Sequence, residues 1–125
     1  MTDLIARLEA ATEGSLELDA EIWMTLYPNW RNFPRTEDGG WITDMGKSAR
    51  AYGYTTSLDA AMTLVPEGAF VELHISPKGT SCDAEVSLND GKFLIADDTV
   101  KTSTAATAPL ALCIAALKAR ETTNE

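Results

Sequence analysis

VELHISPKGTSCDAEVSLNDGKFLIA, residues 71–96, decides the fold class. Val71, Leu73 and Ile75 alternate with Glu72, His74 and Ser76, and Cys82, Ala84, Val86 and Leu88 alternate with Ser81, Asp83, Glu85 and Ser87. A period of two places one set of side chains on each face of a strand, so both runs read as half-buried strands. Pro77–Thr80 supplies a turn between them, and Asn89-Asp90-Gly91 supplies a hairpin turn after the second, because these residue types tolerate positive φ. Phe93–Ala96 is apolar throughout and reads as a third strand buried on both faces. The expectation is a three-strand antiparallel meander with one apolar and one polar face.

Helical patterns lie on either side. Thr2 and Asp3 suit a helix N-terminus, and Leu4, Ile5, Leu8 and Ala11 recur at helical spacing up to Gly14, a natural stop in the left-handed conformation. Ser15 can cap a second helix whose first half carries Glu17, Asp19 and Glu21, with Leu18, Ile22, Trp23, Leu26 and Tyr27 as its stripe and Pro28 as its end. Joined so tightly, the two should form a helical hairpin. Thr56-Ser57-Leu58-Asp59 is close to a capping box, and Leu58, Ala61, Met62 and Val65 follow on one helical face until Pro66 and Gly68. A last helix is expected from about Ala105 to Arg120, with Pro109 near its first turn. The fold class is therefore α+β, a small antiparallel sheet sandwiched with four helices in a single domain over residues 1–125.

Between Asn29 and Gly53 no period holds. Two short strands are expected there, Trp30–Phe33 and Trp41–Ile42, joined across a Thr36–Gly40 turn. The stretch from Trp23 to Tyr54 nevertheless holds seven of the nine aromatic residues and four of the ten basic ones. The net charge is −9, which opposes direct binding to DNA or to anionic lipid. No apolar run is long enough to span a bilayer, and the N-terminal pattern is unlike a secretory signal. Cys82 and Cys113 lie in apolar patterns without metal-ligand spacing and read as buried free thiols of a cytoplasmic protein.

Three segments together carry a resemblance: MTDLIARLEAATEGSLELDAEIW (1–23), YTTSLDAAMTLVPEG (54–68) and ATAPLALCIAALKAR (106–120). They are similar to a family of small phage and prophage proteins, the phage ABA-sandwich domain. One departure is that the C-terminal motif commonly has its proline one place before Pro109. The resemblance implies a helix–sheet–helix sandwich and a phage origin, hence action in the bacterial host cytoplasm. It transfers no activity to any residue.

No residue set points to catalysis. His74, the single histidine, shares a strand face with Glu72, Asp83 and Glu85 if the hairpin pairs as expected. Such a group is a general base, half a metal site, or simply a polar surface, and without HxxxH or CxxC the polar surface is preferred. Asp97-Asp98 reads as a solvated loop rather than a Mg²⁺ pair. Gly46-Lys47-Ser48 lacks the glycine and spacer of a phosphate-binding loop. Neither a metal nor a cofactor is expected.

Binding is the better reading. Rings stack on bases, and Arg or Lys neutralises phosphate. Trp30, Arg31, Arg35, Trp41, Lys47, Arg50 and Tyr52 are the candidate ligand-binding residues. They suggest a sponge that sequesters a small anionic nucleotide messenger of bacterial immunity, with a homo-oligomer to build shared pockets. The alternative is an acidic inhibitor of a nucleic-acid-binding host defence protein, in the manner of anti-CRISPR proteins. A third option is a structural or packaging accessory.

Overall fold

The computed structural model describes residues 2–75, 81–87 and 100–123. Strands β3 (Phe70–Ile75) and β4 (Cys82–Ser87) are antiparallel, with Val71 opposite Val86, Leu73 opposite Ala84 and Ile75 opposite Cys82. The alternation decides which side is wet. Cys82, Ala84 and Val86 are buried, while Glu72, His74 and Asp83 are exposed on the other face. The strand on the far side of β4 is β5 (Val100–Ala105), antiparallel, with Ser103 opposite Ala84. The run Phe93–Ala96, both expected turns, and Asp97-Asp98 lie outside the described residues.

Helix α4 (Ala108–Thr123) lies on the inner face of this sheet, flanked by α1 (Thr2–Ala10) and α3 (Leu58–Met62). Leu110 through Leu117 have no exposed surface at all. A helix apolar on every side must be enclosed on every side, and alanines at 111, 115, 116 and 119 let the neighbours come close. The buried Ser103 hydroxyl donates to the Ala111 carbonyl, so this polar side chain between sheet and helix is satisfied. Arg120 Nε donates to the Leu64 carbonyl and ties the end of α4 to the turn after α3. A helix on the second face of the sheet, which the resemblance implies, does not occur among the described residues. Nor is any described helix long and apolar enough to cross a membrane.

The Ser15 cap falls where the sequence places it, whereas α3 is capped by Ser57, one residue after the Thr56 at which the near-capping box would start it. Ser15 Oγ accepts from Leu18 N at 3.1 Å to start α2 (Leu16–Leu26), and Ser57 Oγ accepts from Ala60 N at 3.3 Å to start α3. Other expectations need correction. α1 stops at Ala10, and Gly14 is not left-handed. It is glycine for want of room, because a Cβ there would fall inside the Thr55 carbonyl. The last helix starts at Ala108, where the Thr107 hydroxyl accepts from Leu110 N.

Trp30–Phe33 is not a strand. Pro28 fixes φ and opens a 3-10 helix over Pro28–Asn32. β1 (Trp41–Ile42) does form, but it pairs with β2 (Ser48–Ala49) across a turn in which Gly46 has φ 75°. The Thr36–Gly40 turn closes through Thr36 N to Gly40 O at 3.0 Å, and brings Arg35 opposite Trp41 in a single bridge.

Candidate functional site

The aromatic stretch folds into a second, smaller core. Trp41 is fully buried against Ala20 and Met24 of α2, with Trp23, Trp30 and Phe33 packed around. The rings meet mostly edge to face, at centroid separations of 5.5 Å for Trp23–Trp30, 5.4 Å for Trp30–Trp41 and 5.2 Å for Trp30–Phe33, the geometry that ring quadrupoles favour. Trp23 also meets Tyr27 at 4.5 Å and Tyr52 at 5.7 Å. The indole N–H groups of Trp23 and Trp41 are buried without a hydrogen-bond partner.

Most of the candidate cations already have work inside the molecule. The Arg35 guanidinium lies 4.8 Å from the Trp41 ring centroid, a cation–π contact, and donates to the Gly40 and Gly39 carbonyls at 3.1 and 2.9 Å. Arg50 pairs with Asp38, Nε to Oδ2 at 3.0 Å. Hydrogen bonds from Thr36 and then Arg50 hold the Asp38 carboxyl down at about 2. Arg31 is 4.0 Å from Glu21. Lys47 is exposed on the β1–β2 turn and makes no ion pair among the described residues.

The structure thus brings Trp30, Trp41 and Arg35 together as packing. It places Arg31, Lys47 and Arg50 separately at the surface, and leaves Tyr52 58% exposed beside Trp23. A cleft of about 310 Å³ beside Arg35 is walled by Glu17, Glu37 and Asp38, which repel an anion.

The larger cleft, about 670 Å³, lies elsewhere, against the three-stranded sheet. His74, Asp83, Glu85, Thr102 and Thr104 line it, with Glu9 and Lys118 at its margin. The register sets Glu72 opposite Glu85 opposite Thr102, and His74 opposite Asp83 opposite Thr104. Asp83 accepts the Thr104 hydroxyl at 2.8 Å, His74 Nε2 is 3.6 Å from Glu72, and Lys118 Nζ donates to the Thr102 carbonyl at 3.2 Å. Sequence reasoning had found His74 and its three carboxylates. It missed Thr102 and Thr104, whose strand carries no apolar alternation to announce it.

Asp19 stands in the first turn of α2, where a carboxylate suits the helix dipole. Its side chain instead turns inward and accepts from Thr55 N at 2.8 Å and Thr55 Oγ1 at 2.6 Å. Burial raises this carboxyl above its usual range, while the Thr55 bonds pull it the other way. Cys113, also buried, donates its thiol to the Tyr54 carbonyl, and burial pushes that thiol far up. Both cysteines are free and buried, as read.

Four α-helices and two antiparallel sheets among the described residues make this a small α+β protein. No protein-family model matches the chain, and no curated protein does. A solved structure matches: a phage protein from Bacillus cereus ATCC 14579 aligns over 86% of this chain and 88% of its own, with a TM-score of 0.52 and 17% identity. At that identity the likeness speaks for a shared fold alone.

Proposed function

We propose that this chain is a non-enzymatic phage accessory protein that counteracts bacterial anti-phage immunity. It acts in the host cytoplasm by occupying the basic, nucleic-acid-binding surface of a defence protein. The observation that carries this reading is the outer face of the three-stranded sheet. Glu72, Asp83 and Glu85 stand there with no helix over them among the described residues, on a chain of net charge −9. A face of one sign steers a partner of the opposite sign and binds it with strong salt dependence. The likeness to a phage protein supports the setting.

The nucleotide-sponge reading keeps one observation in its favour. Tyr27 and Tyr52, each about half exposed, flank Trp23 and leave ring surface open to a base. Against it, Trp41 has no face to offer, and Arg35 and Arg50, though exposed, are already bonded to Gly40 and Asp38.

One experiment separates the two. The chain is expressed in strains carrying different defence systems, and phage plaquing is counted. Glu72→Lys with Glu85→Lys is expected to abolish the protection of phage, whereas Arg31→Ala with Tyr52→Ala leaves it intact. The reverse pattern would reject the acidic-face reading in favour of the sponge. A sponge would also gain melting temperature with its nucleotide.

A further inference from the structure

We propose that Glu72, His74 and Glu85 form a binding site for one divalent transition-metal ion, with Zn²⁺ the best match. The ligand set is assembled by register. Glu72 and Glu85 are direct cross-strand partners, and His74 stands two residues along on the same face. One donor atom from each lies within 4.8 Å of the others. Ligation at ~2.1 Å with tetrahedral angles needs donors ~3.4 Å apart. His74 Nε2 and Glu72 Oε2 are already 3.6 Å apart, and exposed side chains can close the remainder by small χ rotations.

The charge balance favours a cation here. Like charges directly opposite on paired strands repel. No lysine or arginine pairs with Glu72 or Glu85 among the described residues, and the face is open to approach. Asp83, opposite His74, already holds the Thr104 hydroxyl and is left out of the ligand set.

The donor types select the metal. Ca²⁺ and Mg²⁺ take oxygen ligands, whereas an imidazole with two carboxylates suits Zn²⁺ and its neighbours in the first transition row. Three protein ligands leave a fourth position for water or for a side chain from outside.

The inference needs no defence partner, so its test is made on the whole chain alone. Metal-free protein is titrated with ZnCl₂ by calorimetry, and the single imidazole is followed by NMR, where it has no other histidine to overlap. Expected are saturation at one ion per chain and a shift of the imidazole signal that completes at the same ratio. Excess Ca²⁺ or Mg²⁺ should not reproduce it. His74→Ala and Glu85→Gln should each weaken binding about tenfold or more. An imidazole signal unmoved at one equivalent of Zn²⁺ would overturn the proposal, and so would undiminished binding by folded His74→Ala protein. Should that variant not fold, the wild-type imidazole signal decides alone.

Discussion

Around α4, aliphatic side chains from both flanking helices and the sheet meet on a helix whose middle is buried on every side. Around Trp41, by contrast, rings from α2, a 3-10 helix and a two-residue strand meet edge to face, held by a guanidinium and a handful of turn hydrogen bonds. The first core is regular elements packed by area. The second is irregular backbone held by particular contacts. Two consequences follow. The large core can lose a methyl group and keep its outline, while the small one depends on single residues. The small core also has less hydrogen-bonded backbone to protect it, so it should open first.

Deleting the centre of the small core is the strongest way to try that contrast. Trp41→Ala removes a side chain with no exposed surface, a class of change that costs ~3–5 kcal/mol. The loss is expected to stay local. Hydrogen exchange at the Ile42 and Thr43 amides, now bonded to Pro34 and Lys47 carbonyls, should quicken ~100-fold or more while α4 keeps its protection. Equal loss of protection in α4 would mean that the two cores open as one.

Next in size is the clasp where the cores meet. Asp19→Ala leaves the buried Thr55 N–H without an acceptor and is expected to cost about 1–3 kcal/mol in urea unfolding. Asp19→Asn keeps an acceptor oxygen and removes a desolvated charge, so it should cost much less. The two also differ in pH dependence. Because the folded carboxyl is raised above 3.8, its contribution is fullest below that pH and declines as pH rises through the folded value. In Asp19→Asn that decline should vanish from urea midpoints measured across the carboxylate range.

The smallest effect is at the rim of the aromatic core. Asp38 is held at about 2, so what its bonds contribute is present above pH 3.8 and is lost as pH falls through about 2. Arg50→Ala should move the carboxyl titration, followed by NMR, back toward 3.8. Stability should barely change, as for most exposed pairs. An unmoved titration would mean that Thr36 and the Gly40 amide hold the carboxylate unaided.

The same division explains what could be read from the sequence. The large core was legible because Val71, Leu73, Val86 and the α4 run repeat at the periods of strand and helix. Its one unread strand, β5, faces inward with Lys101, Ser103 and Ala105, so it has no hydrophobic alternation. Ser103 earns its buried place through a hydrogen bond that only the folded chain supplies. In the aromatic stretch, composition marked a cluster but carried no period to say which way a ring points. That is why Trp41 read as a stacking surface and proved to be interior, and why Arg35 read as a phosphate donor and proved to lie over an indole. On the sheet, alternation did put His74 and the three carboxylates on one face. Their separations needed the register.

Thr55 also bears on how this chain can diversify. It binds both Ser15 and Asp19, and only glycine fits beside it at position 14, so the aromatic stretch is closed at its base by one group of hydrogen bonds, with Tyr54 held next to it by the Cys113 thiol. Closing a longer loop costs only about 0.6 kcal/mol for each doubling of its length. The exposed turn at residues 44–47 can therefore be lengthened or exchanged while the frame around α4 keeps its contacts. The aromatic stretch is a cassette clamped at its base.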